Sequence, residues 1–114
     1  MPHVSIEFSK GLEQTHDFQL ICKDVFEALA NQAAFGDPEA IKIRARPVEY
    51  FCIGSDKQTF VHATLLLIEG RSEQVRKHLN KVILDILAAN LPEAASLTVQ
   101  DMDITKATYA KRLL

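Results

Sequence analysis

Four segments of the chain have the residue pattern of β-strands. Apolar and polar side chains alternate over residues 2 to 9 and again over residues 40 to 46, which is typical of strands with one buried face. Pro47 predicts that the second of these strands lies at a sheet edge or bends. Residues 59 to 69 predict a longer strand whose Leu-Leu-Leu-Ile stretch is apolar on both faces, so both of its sides need cover. Residues 96 to 104 predict a fourth strand.

Two segments between these strands repeat apolar residues at helical spacing. The first helix is expected over about residues 17 to 33, because Gly36 and Pro38 end the pattern. Ser72 is the expected N-cap of the second helix, which runs until Pro92. The chain therefore has the order strand, helix, strand twice over, and both helices end in similar residues, which makes an internal duplication plausible.

The alternation of strands with single helices predicts one domain, residues 1–114, of the α+β class. We expect a duplicated β-α-β arrangement: a four-stranded mixed sheet with two helices packed on one face. Two helices cannot cover both faces of such a sheet. The uncovered face predicts association of identical copies in a closed ring.

Composition excludes several classes of function. With 47% hydrophobic and 25% charged residues, a net charge of −2 and no run of basic residues, the chain lacks the basic surface of a nucleic-acid-binding protein. It has no apolar run of membrane-spanning length and no signal-peptide pattern at its start, so we expect a soluble cytoplasmic protein that does not bind membranes. Cys22 and Cys52 have no ligand or redox spacing, so reduced, packed thiols are expected, and neither a metal nor a disulfide.

Three residues form a candidate site when they are considered together: Pro2, Arg44 and Arg71. Each alone has an ordinary structural explanation. Pro2 follows the initiator methionine, Arg44 lies on the polar face of a predicted strand, and Arg71 lies in a turn before a helix.

The chemical interest of Pro2 is that removal of Met1 would leave a secondary amine. An ordinary α-amino group has a pKa of about 7.7 to 8.0, and an apolar pocket with nearby guanidinium groups would lower it. Such an amine can take a proton from an enol oxygen or a carbon next to a carbonyl and return it elsewhere in a conjugated system. Arginines such as Arg44 and Arg71 can bind a carboxylate and stabilise the enolate oxygen. Arg71 also precedes a helix N-terminus at Ser72, which favours anions.

The opening PHVSIEFS, the segment IRAR and above all TFVHATLLLIEGRS resemble the 5-carboxymethyl-2-hydroxymuconate isomerase family of the tautomerase superfamily. The resemblance runs from Pro2 to about Ile104. It implies that Pro2 transfers the proton, and that Arg44 and Arg71 are the two functional arginines. It further implies a homotrimer without cofactor or metal, with sites near subunit boundaries, in the breakdown of homoprotocatechuate-type aromatic acids. The tail KATYAKRLL and the loop FCIGSDKQ depart from the family pattern, which leaves the substrate open.

The other polar residues have structural interpretations. His62 is expected to be a buried, hydrogen-bonded histidine on an apolar strand, and His3 is expected to point away from Pro2. Glu7 and Glu69 are expected to pair with arginines.

The leading hypothesis is therefore a cofactor-independent isomerase of a small carboxylated dienol, such as 5-carboxymethyl-2-hydroxymuconate. One alternative is a tautomerase-like hydratase or dehalogenase, which would keep Pro2 protonated and need a carboxylate to activate water. The other is a non-catalytic trimeric module that binds small acids.

Overall fold

The strands form one mixed sheet in the computed structural model, which describes all of residues 1–114. The strands are β1 (His3–Ser9), β2 (Lys42–Val48), β3 (Phe60–Ile68) and β4 (Ser96–Ile104), in the spatial order β2-β1-β3-β4. β1 pairs with β2 and β3 pairs with β4 in parallel, whereas the central β1 and β3 are antiparallel. The predicted α+β class and the four-stranded mixed sheet are confirmed. Pro47 lies on β2, an edge strand, as its residue type predicts.

Each parallel pair is joined through a helix: α1 (Phe18–Ala30) and α2 (Glu73–Asn90). The Asp17 carboxylate caps α1 by accepting a hydrogen bond from the Leu20 amide at 3.1 Å. The Ser72 hydroxyl caps α2 by accepting from the Val75 amide at 3.2 Å, as predicted.

The first helix is shorter than expected. It ends at Ala30 and not near residue 33. The amide of Gln32 donates to the carbonyl of Leu29 at 3.0 Å, which closes a tight turn in place of another helical turn. The alanines that follow continue the apolar pattern, but they lie outside the helix.

The hydrophobic core lies between the two helices and one face of the sheet. Alternate residues of the two central strands are buried there, together with one stripe from each helix. The doubly apolar stretch of β3 divides as predicted: Leu65 and Leu67 are 0% and 1% exposed in the core, and Leu66 and Ile68 are half-buried on the opposite side. Of the two free cysteines, Cys22 packs beside the core as expected, but Cys52 is exposed.

No helix covers the other side of the sheet, which we call the open face. Polar side chains from all four strands lie on this face, including Ser5, Glu7, Arg44, Arg46, His62, Thr64, Thr98 and Gln100. His62 is hydrogen-bonded there as predicted, to Thr98 at 2.7 Å and to Gln100 at 2.9 Å, but it is half-buried and not buried. Glu7 pairs with Arg46 at 2.9 Å, as expected. Glu69 differs from expectation, because it accepts from the Lys106 amide at 2.7 Å and pairs with no arginine.

Neither helix has the length and apolar character needed to cross a bilayer.

Candidate active site

The topology brings four chain segments together at one end of the sheet. β1 and β2 begin there and the antiparallel β3 and β4 end there. A cavity of about 440 Å³ lies at this end, and we call it the amino-terminal cavity. It is lined by Met1, Gly36, Asp37, Ala40, Ile68, Lys106, Tyr109 and Lys111.

The amino terminus is fixed inside this region. The Met1 amino group donates a hydrogen bond to the carbonyl of Ala40 at 2.8 Å. Pro2 is buried, and its carbonyl accepts from the Lys42 amide at 3.0 Å, which holds it at the start of β1. Met1 lines the cavity, whereas Pro2, whose nitrogen is bonded directly to Met1, is buried and does not itself line it.

The surroundings of the amino terminus disfavour its protonated form. Burial lowers the pKa of the Met1 amino group below its usual 8.0, and the positive charges of Lys42, Lys111 and Arg71 lower it further. Asp37 acts in the opposite direction and raises this pKa, but the net effect is a lower pKa. An amine here is therefore more often neutral at pH 7 than an ordinary chain terminus.

Arg71 lies at the same end of the sheet, between β3 and α2. Gly70 precedes it with a φ of +115°, a conformation that favours glycine and turns the chain out of the strand. The guanidinium donates to the carbonyls of Ile68 at 3.1 Å and Ala34 at 3.0 Å, and its central carbon lies 5.2 Å from the centre of the Phe35 ring. Two of its five N–H groups are used in this way, so others remain for an anion.

Like Arg71, Arg44 does not itself line the cavity. Its exposed side chain lies on the open face, opposite Ser5 in the strand pairing. There its Nη1 lies 3.2 Å from Nδ1 of His3, whose Nε2 lies 2.9 Å from the hydroxyl oxygen of Tyr109. Pro2 and Arg71 thus share one end of the sheet, while Arg44 is connected to the cavity only through His3 and Tyr109.

Four polar residues of the cavity were not among the sequence-based candidates: Asp37, Lys106, Tyr109 and Lys111. Three of them belong to the tail KATYAKRLL, which the sequence marks as a departure from the family pattern. The sheet topology could have identified these three tail residues. The tail follows β4, which ends at the end of the sheet where β1 begins. No three or more His, Cys, Asp or Glu side chains converge in a group that could hold a metal ion.

One protein family matches most of the chain. A model of the 5-carboxymethyl-2-hydroxymuconate isomerase family matches residues 2–107 of the chain. The chain belongs to this family. It is accordingly an enzyme of the isomerase class. No protein of curated function matches it significantly in sequence.

Solved structures of 5-carboxymethyl-2-hydroxymuconate isomerases have the same fold. One delta-isomerase is 22% identical with a TM-score of 0.82, and the alignment covers 98% of this chain and 88% of that one. The isomerase from Deinococcus radiodurans R1 is 19% identical with a TM-score of 0.83, covering 97% and 88%.

The fold extends to more distant proteins. A fused 4-OT described as a symmetric trimer is 13% identical with a TM-score of 0.77, covering 96% of this chain and 90% of that one. The macrophage migration inhibitory factor of Trichinella spiralis is 8% identical with a TM-score of 0.75, covering 96% and 95%. The tautomerase-like fold expected from the sequence is thereby confirmed.

Proposed function

We propose that the protein, after loss of Met1, isomerises a small carboxylated dienol such as 5-carboxymethyl-2-hydroxymuconate, with Pro2 as the proton shuttle. The observation that carries this proposal is the position of the amino terminus beside a cavity of about 440 Å³, where burial first and the nearby positive charges of Lys42 and Lys111 next lower the pKa of the amine. Loss of Met1 would free the Pro2 nitrogen one residue further along the chain and would remove a side chain that now lines the cavity. The reaction needs no cofactor, because the amine both accepts and returns the proton.

The proposed reaction transfers one proton within the substrate. The neutral Pro2 amine takes the proton of the enol hydroxyl, which leaves a dienolate. The ammonium then donates that proton to a distant carbon, while the oxygen electron pair forms the carbonyl and the double bonds shift. The negative charge of the intermediate lies partly on oxygen, so groups that stabilise an oxyanion accelerate the reaction.

Arg71 is the arginine whose placement best supports a direct role. Its guanidinium is fixed by two carbonyls and the Phe35 ring, and it is close enough to the amino terminus to influence its pKa. We assign to it the binding of a substrate carboxylate and the stabilisation of developing negative charge. Lys106 and Lys111 add positive charge to the cavity, which favours substrates with more than one carboxylate. Arg44 would reach a substrate directly only if association brought it to the site of a neighbouring copy.

We also propose a homotrimer, since the open face lacks helical cover and a structural neighbour is described as a symmetric trimer. If Met1 is retained in the cell, the Pro2 nitrogen is an amide and has no basic lone pair. The protein would then be the non-catalytic module that binds small acids.

The hydratase alternative gains a candidate carboxylate in Asp37, which lines the cavity. That reaction needs a protonated proline, however, whereas burial and nearby positive charges lower the pKa of the Met1 amino group, the neighbour of the Pro2 nitrogen. The isomerase is therefore the function that we propose.

The test uses Met1-free protein, verified by intact mass, and follows the ultraviolet loss of 5-carboxymethyl-2-hydroxymuconate. We expect Pro2→Ala, which replaces the secondary amine of proline with the less well-positioned primary amine of alanine, to lower kcat by about 100-fold, the low end of the contribution of a positioned general base. Pro92→Ala is the matched control, because Pro92 is exposed after α2 and away from the cavity. Equal rates for Pro2→Ala and wild type would overturn the proline mechanism, and no turnover by either would overturn the isomerase assignment for this substrate.

A further inference from the structure

A hydrogen-bond chain connects the open face to the amino-terminal cavity. It begins at Arg44 on β2, passes through both ring nitrogens of His3 on β1 at 3.2 and 2.9 Å, and ends at the hydroxyl of Tyr109. Tyr109 itself lines the cavity. Its ring also meets the imidazole edge to face, with centroids 6.1 Å apart, so packing holds the pair in addition to the hydrogen bond.

The chemistry of Arg44 fixes the direction of every hydrogen bond in this chain. A guanidinium can only donate, so His3 Nδ1 must be the acceptor. The imidazole is then neutral with its hydrogen on Nε2, and Nε2 donates to the oxygen of Tyr109. The phenolic hydrogen of Tyr109 is not used by His3 and is free to be donated into the cavity.

The electrostatic surroundings agree with a neutral imidazole. Burial lowers the pKa of His3 below its usual 6.5, and the charges of Arg44, Lys42 and the amino terminus lower it further. At pH 7 His3 therefore carries one hydrogen, the form in which it can accept from Arg44 and donate to Tyr109 at once.

We propose that Tyr109 is a catalytic hydrogen-bond donor to the enolate oxygen of the substrate, and that Arg44 and His3 are positioning residues that hold its hydroxyl as a donor. This inference rests on the proposed isomerase function and gives Arg44 a role that does not require contact with substrate. Tyr109 keeps its proton throughout the reaction, so the proton balance remains that of the Pro2 amine and the substrate. A hydroxyl that already accepts a hydrogen bond is a stronger donor, which is the benefit of the chain.

The catalytic part is tested with Tyr109→Phe, which keeps the ring that packs on His3 and removes only the hydroxyl. We expect kcat to fall about 100-fold, as for loss of one oxyanion donor, with a much smaller change in KM. Tyr50→Phe is the matched control, because the protein has two tyrosines and Tyr50 is 91% exposed. An unchanged kcat for Tyr109→Phe, in a preparation whose wild type turns over the dienol, would overturn this proposal and leave the proposed function standing.

The positioning part is tested by nitrogen NMR of the histidine rings, which needs no substrate. We expect His3 in the wild type to be neutral with its hydrogen on Nε2 at pH 7. Arg44→Met should remove that preference and lower kcat by about tenfold, roughly the value of one hydrogen bond to a charged group, and Arg44→Lys should restore part of both. A ring hydrogen on Nδ1 in the wild type would overturn the inference. A wild type without any turnover would instead contradict the proposed function.

Discussion

At the scale of single residues, burial lowers the pKa of the amino terminus most, and the charges around it adjust that pKa further. Lys111 lowers the pKa of the Met1 amino group and Asp37 raises it. We therefore predict opposite effects in protein that retains Met1: Lys111→Gln raises the amino pKa, and Asp37→Asn lowers it further below 8.0. Asparagine can replace Asp37 as acceptor of the Glu39 amide, so the local turn is kept.

The amino pKa can be measured by NMR titration of the terminal amine or by the pH dependence of its acylation. Glu39→Gln is the control for Asp37→Asn, since Glu39 is exposed and does not line the cavity. Shifts of the same sign in the Lys111 and Asp37 variants would show that the field of the cavity does not control this amine.

The sequence-based site of Pro2, Arg44 and Arg71 combined residue patterns with a family resemblance, and its catalytic roles stay predictions. Pro2 and Arg71 stand at one end of the sheet, as a common role in a site requires. Strand alternation also predicted that Arg44 lies on the polar face of its strand, but it could not show that this side chain does not line the cavity. The tail residue Tyr109 escaped prediction because it belongs to no periodic element, and only the sheet topology brings it next to His3.

At the scale of elements, a polar cluster fastens α2 to β4. The carboxylate of Asp101 accepts from Arg76 Nε at 2.5 Å and from Asn80 Nδ2 at 2.9 Å, and its side chain is only 13% exposed. Burial alone would raise the pKa of Asp101, but hydrogen bonds from Arg76 and Asn80 bring it below 3.8. The cluster thus stabilises the ionised carboxylate in the folded protein.

We predict that Arg76→Met lowers the free energy of unfolding at pH 7, because it removes the charged donor to Asp101, and that the loss is smaller than for a fully buried charged hydrogen bond, since Arg76 is 35% exposed. Since the folded pKa of Asp101 is depressed, its contribution is present above pH 3.8 and is lost as the pH falls towards the folded value. The difference between variant and wild type should therefore shrink in acid.

Urea unfolding at fixed protein concentration measures this effect, with Lys77→Met as control, because Lys77 is the exposed neighbour of Arg76 on α2. A loss that stayed constant from pH 7 to acid would assign the effect of Arg76 to packing of its carbon chain and not to its charge.

Most of the element boundaries followed from periodicity, because strands and helices here each bury one face. β1, β3 and β4 lie within one residue of the predicted ends, and the Ser72 cap begins α2 as expected. α1 was predicted too long, since Ala33 and its neighbours are apolar but the backbone closes a turn at Gln32. An apolar pattern predicts which side chains are buried, but it does not predict where the helical hydrogen bonds end.

At the scale of the whole molecule, the single chain exposes more surface than a compact monomer of the same mass. Its accessible surface is 7172 Å², whereas a compact monomer of this size has roughly 6300 Å². It measures 42 × 28 × 24 Å, and helices cover only one side of its sheet. The open face is therefore the surface on which the proposed trimer would form.

We predict that the protein sediments as a species three times its protomer mass of 12.8 kDa, and that Leu66→Glu converts it to monomer. Leu66 is half-buried on the open face, so a carboxylate there would lose hydration on association without gaining a partner. Gln74→Glu adds the same charge at an exposed position of α2 and should leave the mass unchanged. A wild type of protomer mass would refute the trimer. A trimeric Leu66→Glu variant would show that Leu66 is not buried between the copies, because burial of that carboxylate would have prevented their association.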